Sequence, residues 1–593
     1  MYFLNQISET ISDAVASLFG EEAIANPVVI EQTKKVFEGD FTLVVFPLLK
    51  FSKKKPEETA ALIGDFLIEK SANFSSFNVV KGFLNIQLSH EFWGSLVSSW
   101  YTDNDFGLTK KESGRLYMVE YSSPNTNKPL HLGHLRNIFL GDSVASLLKA
   151  NGHKVVKTQI INDRGIHICK SMVAWLRYAN NETPESANLK GDHLVGKYYV
   201  EFDKVYKKEV QDLVNSGHDV DAAKKESPIF KEAQEMLLSW EKGDDEVRSL
   251  WSKMNGWVYS GFEKTYNKMG VGFDKLYYES DTYSLGKSVV ESGLNTGSFY
   301  QKEDGSIWCG LIEDKMDDKL LLRSDGTSVY MTQDIGTAVQ RFEDYPELSG
   351  IVYTVGNEQN HHFKVLFKIL SKLNYSWSDE CHHLSYGMVE LPEGKMKSRE
   401  GTVVDADDLM NTVVNEAKLL TNERGHLEGL DESEIDSLCT DIGLSGLKYY
   451  LLKVDPKRKM MFNPKDSIDL NGHTGPFIQY GYARIQSLLN KRKPSSIFNS
   501  NGVNFQKQEL ELIKSISSFP EIIKQSANEL SPALLANYLF TLVKSYNSFY
   551  QSCPIIKEEN ENLAEFRLQV SALTANVVRK GMQILGINVP ERM

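Results

Sequence analysis

The chain has 593 residues, of which 41% are hydrophobic, 24% charged and 11% aromatic, a composition that excludes a disordered or fibrous protein. This length predicts roughly three to five domains of ordinary size. The 66 Lys and Arg residues against 79 Asp and Glu residues give a net charge of −13, which excludes a globally basic surface for nucleic acid. Contacts with a polyanion must therefore depend on local patches.

Cysteine usage and the first residues bear on the cellular compartment. The cysteines are scattered and form no CxxC pair, which argues against a disulfide framework and a zinc ribbon. The segment MYFLNQISETISDAVASLF lacks the features of a secretory signal, and no stretch approaches the roughly 18 apolar residues of a membrane helix. We therefore expect a cytoplasmic protein with no membrane contact.

Residues 1–110 are predicted to form a small α+β domain. PEETAALIGDFLIEKS reads as a helix with Pro56 in its first turn, whereas FTLVVFPLL and VVKGFLNIQLS read as strands. The polar segment YTDNDFGLTKKESGR follows as a linker.

Residues 111–440 have the pattern of a doubly wound parallel sheet. LYMVEYSS predicts a strand, an apolar stripe predicts a helix that ends at Asn151-Gly152, and HKVVKTQIIN predicts the next strand. The stripe consists of Leu132, Leu135, Phe139, Val144 and Leu148. Because crossovers between parallel strands are right-handed, this unit predicts a Rossmann-like domain. Residues 171–260 are charged and helical, and we interpret them as an insertion between the two halves of the sheet.

Residues 441–593 are predicted to be helical almost throughout. In SPALLANYLFTLVKSYNSFY, Ser531 can cap and Pro532 can open a helix, and the last helix should end near Gly586, with Pro590 beyond it. The predicted fold class is therefore multidomain α/β, with a Rossmann-like, doubly wound domain between a small α+β domain and an all-α bundle.

The stretch SSPNTNKPLHLGHLRNIFLGD suggests a phosphate site. A loop that leaves a strand and enters a helix presents free N–H groups and a positive dipole end, yet GxxxxGK[ST] and GxGxxG are both absent from this unit. His131 and His134 can donate hydrogen bonds to phosphate oxygens instead. Gly133 leaves room for a flat ring, and Lys128 adds positive charge. Taken alone, the HxxH spacing also fits a packing coincidence or half of a metal site.

The wider context resembles one family. EYSSPNTNKPLHLGHLRN resembles the HIGH signature of class I aminoacyl-tRNA synthetases, in the form of the arginyl-tRNA synthetase family, and GKMKSREGTVV resembles the second signature, KMSKS. The resemblance continues through SDGTSVYMTQDIG, LNGHTGPFIQYGYARIQSL and LGINVPERM, and covers essentially the whole chain. It implies an enzyme that activates L-arginine with ATP to arginyl-adenylate and pyrophosphate, then transfers arginine to the 3'-terminal adenosine of tRNA(Arg).

The resemblance also implies how ATP is held. His131 and His134 would stabilise the phosphates, and Gly133 would lie against the adenine. Lys395 would hold the pyrophosphate, as part of an ATP site that includes Met396 and Ser398. ATP would arrive with Mg²⁺, and neither zinc nor an organic cofactor is expected.

One position departs from the usual second signature. Ser398 stands where the pattern has a second lysine. The resemblance implies that Lys128 replaces this lysine, and Lys397 is an alternative. The expected catalytic residues are therefore His131, His134, Lys128 and Lys395.

A site for arginine must match a planar, permanently charged guanidinium with carboxylates and with amide or phenol acceptors. The resemblance assigns this site to Glu120, Asn125, Tyr330, Asp334 and Gln359. Lysine would leave acceptors unpaired, and discrimination of this kind can reach roughly 10⁴, so no editing domain is expected. The pairs His361-His362 and His382-His383 lack partners at zinc-ligand spacing, and we interpret them as structural or close to the nucleotide.

The tRNA contacts are expected at both ends of the chain. The resemblance implies that the C-terminal bundle reads the anticodon and that the N-terminal domain touches the D-loop, where stacking on single-stranded bases suits an acidic protein. The residues assigned in this way are Tyr480, Arg484, Tyr550 and Met593 for the anticodon, and Phe83 and Asn85 for the D-loop. An aromatic residue on an amphipathic helix can equally belong to the core.

Two other functions remain open at this point. Another class I synthetase or a nucleotidylyltransferase would share HIGH, but a cysteinyl enzyme would show zinc-ligand cysteines and a simple nucleotidylyltransferase would lack the bundle. A non-catalytic tRNA-binding paralogue would be expected to lose His131, His134 or Lys395, and all three are present. A monomer is the expected state.

Overall fold

The computed structural model describes residues 2–25, 28–34, 36–390, 404–424, 429, 431–495 and 498–593. Over these ranges the chain forms an α+β domain, a parallel sheet flanked by helices, and a helical bundle, which confirms the predicted fold class. No helix in the described ranges is long and apolar enough to cross a membrane.

The N-terminal domain is an antiparallel sheet covered by helices. Its described strands are β1 (Ile30–Gln32), β2 (Phe41–Val44), β3 (Phe74–Val80) and β4 (Phe83–Leu88), in the order β1-β2-β4-β3. Its helices are α1 (Tyr2–Phe19), α2 (Leu49–Ser52), α3 (Pro56–Lys70) and α4 (His90–Thr102), with 3-10 turns at Glu21–Ile24 and Phe46–Leu48. The β3–β4 turn has positive φ at Lys81 (50°) and Gly82 (79°), as a tight hairpin requires.

The strands that follow β4 form a parallel sheet and two smaller sheets. They are β5 (Leu116–Glu120), β6 (Lys154–Ile161), β7 (Lys275–Tyr278), β8 (Tyr300–Gln301), β9 (Ile307–Cys309), β10 (Lys319–Leu322), β11 (Leu348–Gly356), β12 (Cys381–Tyr386), β13 (Val389–Glu390) and β14 (Met460–Met461). Among the described strands, the main sheet has the order β12-β11-β5-β6-β7 with every pair parallel. The direction of winding reverses beside β5, and ligands bind at such switch points in doubly wound folds.

Helices cover the main sheet and extend between its halves. They are α5 (Leu132–Ala150), α6 (Ile166–Tyr178), α7 (Pro184–Ala187), α8 (Gly191–Asn215), α9 (Val220–Glu226), α10 (Pro228–Lys242), α11 (Asp245–Met269), α12 (Glu279–Thr282), α13 (Leu285–Asn295), α14 (Tyr330–Asp344) and α15 (Asn360–Lys372). Short 3-10 turns lie at Ile312–Asp314, Asn357–Gln359 and Ser378–Glu380. Helices α6–α11 stand between β6 and β7.

The C-terminal helices form the bundle. They are α16 (Ala406–Arg424), α17 (Glu432–Leu452), α18 (Pro464–Ser467), α19 (Gly475–Lys491), α20 (Lys507–Ser517), α21 (Phe519–Asn528), α22 (Pro532–Ser552) and α23 (Glu561–Ile584). Pro532 opens α22 as expected, but the Ser531 hydroxyl makes no capping hydrogen bond. The backbone explains this difference, because ψ is 95° at Ser531 and 162° at Thr474, which does cap α19.

Helix α5 lies at the centre of the molecule. It packs on β5, β6 and β11 and also contacts α16, α17, α21, α22 and α23. Because both faces are covered, the helix is buried almost all round. Gly141 is required for this packing, since a Cβ there would lie 2.3 Å from the Cβ of Tyr121.

A buried arginine joins α5 to segments far along the chain. Arg136 is fully buried, and its guanidinium donates to the backbone carbonyls of Gly387, Asp455, Pro456 and Arg458. Gly387 lies just before β13, and the other three residues lie just before β14. Arg136 therefore fixes the start of α5 relative to the backbone before β13 and the backbone before β14.

We expect Arg136→Lys to destabilise the protein, because an ammonium cannot reach all four carbonyls. Each buried acceptor left without a donor costs about 1–3 kcal/mol, so at least two of them would cost about 2–6 kcal/mol. The midpoint of urea unfolding, followed by tryptophan fluorescence, measures the change. Arg579→Lys, at an exposed position on α23, is the control and should leave the midpoint unchanged. A midpoint for Arg136→Lys equal to wild type would contradict the assigned role.

Candidate functional site

Acidic and polar side chains gather where the parallel strands end. Glu120 ends β5, Asp163 follows β6, Glu279 follows β7, and Gln359 follows β11. Because the strands are parallel, these positions share the carboxyl edge of the sheet. The start of α5 lies at the same edge.

The two histidines of the HIGH-like motif pack against each other at the start of α5. Their ring centroids are 3.9 Å apart, and the backbone N–H of His131 donates to His134 Nδ1 over 3.1 Å. Since Nδ1 of His134 accepts, the proton of its neutral ring lies on Nε2, which can donate to a ligand. Nδ1 of His131 is buried and has no partner among the described residues.

Both rings are neutral at physiological pH. Burial, with help from Lys128, lowers the pKa of His131 to about 4. Burial, with the neighbouring His131 and Lys128, lowers the pKa of His134 well below its ordinary value. Burial also lowers the pKa of Lys128. The motif therefore offers neutral hydrogen-bond donors rather than two permanent cations.

Gly133 has a steric explanation within the protein. A Cβ at this position would lie 3.1 Å from Cε1 and from Nδ1 of the His131 ring. Glycine therefore allows that ring to fold over the first turn of α5.

The segment that follows the KMSKS-like sequence returns to this motif. Leu132 donates its N–H to the Val404 carbonyl over 3.2 Å, and Ala406 donates to the Leu130 carbonyl over 2.9 Å. The expected residues Lys395, Met396 and Ser398, and the alternative Lys397, lie outside the described residues.

Glu120 forms a buried ion pair within the chain. One carboxylate oxygen pairs with Arg341, whose guanidinium lies between the rings of Tyr277 and Tyr353 at 5.2 and 5.4 Å. The other carboxylate oxygen lies 3.5 Å from the Ser123 hydroxyl. Sequence reasoning missed Arg341, because a partner 221 residues away leaves no local pattern.

The remaining predicted arginine ligands differ in exposure. Asp334 is half-buried on the first turn of α14, and His362 lies 2.6 Å from its carboxylate. Tyr330 is 83% exposed at the start of the same helix, and Gln359 is exposed in the 3-10 turn after β11. Asn125 is exposed and forms a backbone bridge with Asn162, which follows β6.

Glu279 is a candidate ligand that the sequence analysis missed. It follows β7 directly, and burial, with Asp163 and Asp334 nearby, raises the pKa of its carboxyl to about 7. Gln333 forms a hydrogen bond with it. The sequence signal that could have found it is a carboxylate directly after the run KLYY, which forms β7. Perturbed carboxyls of this kind concentrate at binding sites.

Asp163 forms hydrogen bonds with the residue that follows Glu279. Its carboxylate accepts hydrogen bonds from the N–H and hydroxyl of Ser280 and from Tyr259, all within 2.9 Å. The backbone next to Glu279 is therefore held in place.

The other paired histidines have separate positions. His383 Nε2 lies 3.0 Å from the Val355 carbonyl, and its ring stacks on Phe363 at 4.4 Å. His361 and His382 are exposed. Only His362 touches a predicted ligand, Asp334.

The residues predicted to read the anticodon form one surface cluster. The Arg484 guanidinium lies 5.0 Å from the ring centroid of Tyr480 and 5.9 Å from that of Tyr550. Both rings are partly exposed, at 37% and 40%. Met593 packs against Ala417 and Ile442 and lines a small cavity together with Tyr480. We call Tyr480, Arg484, Tyr550 and Met593 the aromatic–arginine cluster.

Phe83 and Asn85 line one cavity of the N-terminal domain, of about 270 Å³. Phe83 is 40% exposed and packs edge-on against Phe46. Asn85 is buried, and its amide is held by Thr42 and Asn78 at 2.7 and 2.8 Å. The cavity therefore combines an exposed ring with a fixed amide.

Family models match three consecutive parts of the chain. Residues 5–88 match the arginyl tRNA synthetase N terminal domain, residues 98–463 match the catalytic domain of class I tRNA synthetases (R), and residues 478–593 match the DALR anticodon binding domain. The catalytic model alone covers more than half of the chain.

Full-length relatives agree with these models. The chain is 54% identical to an arginine–tRNA ligase of Bacteroides thetaiotaomicron and 52% identical to one of Flavobacterium psychrophilum, over 99% of each chain. The fold matches the arginyl-tRNA synthetase of Thermus thermophilus with a TM-score of 0.80 at 22% identity, over 99% of this chain and 100% of that one. The Plasmodium falciparum structure gives 0.76 at 19% identity, over 99% of both. The chain therefore belongs to the arginyl-tRNA synthetase family of class I ligases, as its motifs predict.

Proposed function

We propose that His131 and His134 are the groups by which this arginine–tRNA ligase stabilises the phosphates of ATP. The arginine carboxylate attacks the α-phosphorus, and the bond from that phosphorus to the β-phosphate oxygen breaks to release pyrophosphate. The observation that carries the proposal is the pair of neutral, half-buried rings at the start of α5, with His134 Nε2–H left to donate. Preorganised donors of this kind stabilise charge that develops in the transition state.

The rest of the ATP site is proposed from the motifs. Lys395 holds the pyrophosphate, with Met396 and Ser398 beside it, and the adenine lies against Gly133. Lys128, three residues before His131, takes the place of the missing second lysine, and Lys397 is the alternative. Mg²⁺ enters with ATP as part of the substrate.

The arginine substrate is proposed to bind with its two cationic ends in different surroundings. Asp334 and Glu279 surround the guanidinium, because both are half-buried carboxylates at neighbouring strand and helix ends. Glu120 receives the α-ammonium through the carboxylate oxygen that does not pair with Arg341. Asn125, Tyr330 and Gln359 add polar contacts.

The tRNA contacts are proposed at two surfaces. The aromatic–arginine cluster stacks on anticodon bases, which is supported by two partly exposed rings that share one guanidinium. The Phe83–Asn85 cavity receives a base of the D-loop, where the ring stacks and the amide reads an edge. We further propose that the protein acts as a monomer in the cytoplasm.

Arginine-dependent ATP–pyrophosphate exchange tests the arginine pocket. We expect exchange with arginine alone among the amino acids, and a loss in Asp334→Ala of about 10²- to 10³-fold in kcat/KM for arginine, the scale of removing one partner of a desolvated charge pair. The assay is run with and without total tRNA, because we expect tRNA to be required.

The control for Asp334→Ala is Asp221→Ala, a carboxylate exposed on α9. It should exchange as wild type does. Exchange by Asp334→Ala at the wild-type rate would contradict the pocket, and absence of exchange in the wild type under both conditions, with tRNA still bound, would favour a non-catalytic role.

The raised pKa of Glu279 predicts that the KM for arginine depends on pH. Its carboxyl has a pKa raised to about 7 and must be ionised to pair with a guanidinium. The KM for arginine should therefore rise as the pH falls below 7, approaching about tenfold per unit. Glu279→Gln should have a higher KM that does not depend on pH between 6 and 8. Glu347→Gln, at an exposed loop position, should behave as wild type, and an unchanged pH profile in Glu279→Gln would exclude this ligand.

We expect substitutions in the aromatic–arginine cluster to weaken the binding of tRNA alone. Each stacked base contributes about 1–3 kcal/mol, so Tyr480→Ala or Tyr550→Ala should raise the KM for tRNA by about 5- to 100-fold in aminoacylation. The KM for ATP should not change. Tyr300→Ala, of similar exposure at 37%, is the control. Equal tRNA affinity in all three variants would place the anticodon elsewhere.

A further inference from the structure

A hydrogen bond joins the helical insertion to the segment that pairs with the HIGH-like motif. His193 lies on the first turn of α8, and its Nε2 is 2.8 Å from a carboxylate oxygen of Asp405. The second oxygen of Asp405 accepts the N–H groups of Asp407 and Asp408, at 2.8 and 3.2 Å, and so caps α16. Asp405 is therefore held from both sides.

The backbone of Asp405 carries this contact to the catalytic motif. Asp405 and His131 form an antiparallel bridge, and the flanking residues pair as well, through Leu132 to Val404 and Ala406 to Leu130. A shift of Asp405 would thus move the backbone from which the His131 ring projects. His193 touches no reacting group itself.

The same helix supports the other side of the motif. A Cβ on Gly196 of α8 would lie 2.8 Å from Cδ of Pro129 and 3.6 Å from Cα of Lys128. The first turns of α8 therefore form a wall behind the segment from Lys128 to His131.

The charges around His193 exclude a simple metal site. Ligand atoms of His193, Asp405 and Asp407 lie within 4.8 Å of one another, which would suit a cation. However, Lys190 already pairs with Asp407, and also with the buried Asp192 at 3.1 Å. A resident ammonium supplies the positive charge, so the cluster is an ion-pair network.

We propose that His193 is a positioning residue for amino-acid activation, which fixes Asp405 and, through it, the phosphate-binding backbone at His131. This inference rests on the proposed role of His131 and His134. It links the insertion to the chemical step through the backbone bridge between Asp405 and His131.

The hydrogen bond is also expected to depend on pH. The hydrogen bond with Asp405 raises the pKa of His193. Burial by itself would raise the pKa of Asp405, but the hydrogen bond from His193 outweighs burial, so that pKa is lowered. A protonated His193 therefore pairs with an ionised Asp405, and this charge pair is present at low pH and lost as the pH rises through the raised pKa of His193. The charged groups that act on His193 are Asp405, Asp192 and Lys190. Asp407 pairs with Lys190, Lys268 lies near both of them, and His131, with Lys128 beside it, lies near Asp405.

The test measures exchange per active site, with active sites counted by adenylate formation. His193→Ala should lower kcat about tenfold, the scale of losing a hydrogen bond to a charged group, with the KM for arginine unchanged. In His193→Gln the amide can still donate to Asp405, so kcat should stay within about threefold of wild type. That variant should lack the alkaline fall in kcat that we expect of the wild type.

Two further variants separate positioning from folding. Asp405→Asn keeps an oxygen that can cap α16 but removes the charge, so it should reproduce the flat pH profile of His193→Gln. His218→Gln removes another histidine–carboxylate pair beyond the far end of α8, where His218 lies 3.5 Å from Glu226, and should match wild type in every measurement.

Three results would overturn the inference. They are a kcat per active site in His193→Ala within twofold of wild type, a pH profile of His193→Gln that superimposes on wild type, or a loss confined to the fraction of active enzyme. His131→Asn is measured in parallel: wild-type exchange in that variant would instead refute the proposed phosphate role, whatever the His193 variants show.

Discussion

Charge burial at the carboxyl edge of the parallel sheet is the constraint on which the site depends. Removing a carboxylate or a guanidinium from water costs several kcal/mol unless a partner replaces the lost hydration. Glu120 meets this requirement with Arg341, and Arg136 meets it with backbone carbonyls. Glu279 has no such complete compensation, and its raised pKa records the deficit. The edge therefore contains balanced groups that define its shape and one carboxyl, Glu279, whose charge the protein itself leaves unbalanced.

The parts of the structure that could be predicted are those written locally in the sequence. The strand β5, the helix α5 and its end at Asn151 follow from apolar periodicity and from glycine after the last turn. The fold class was predicted correctly because strand and helix patterns alternate over long stretches. The position of His131, Gly133 and His134 at the start of that helix was also predicted, and their role in binding phosphate stays a prediction.

The parts that could not be predicted are contacts between distant segments. Arg341 and Glu120 are 221 residues apart, and His193 and Asp405 are 212 apart. Neither pair has a spacing that a helix or strand would impose, so each partner reads as an ordinary surface charge. Glu279 illustrates an intermediate case, because its place after a strand is visible in the sequence whereas its burial is not. The roles given to Lys395 and to the aromatic–arginine cluster stay predictions.

The way in which Arg136 is held has a consequence for how the chain can vary. Among the residues that the structure describes, its guanidinium donates to main-chain oxygens, at Gly387, Asp455, Pro456 and Arg458. Every amino acid supplies a carbonyl, so three of those positions can change their side chains without breaking the contact. Gly387 is different, because a Cβ there would lie 2.6 Å from the backbone of Arg458. The side chains in this connection between the sheet and the bundle can therefore change while its geometry stays the same, provided that Arg136 and Gly387 are kept.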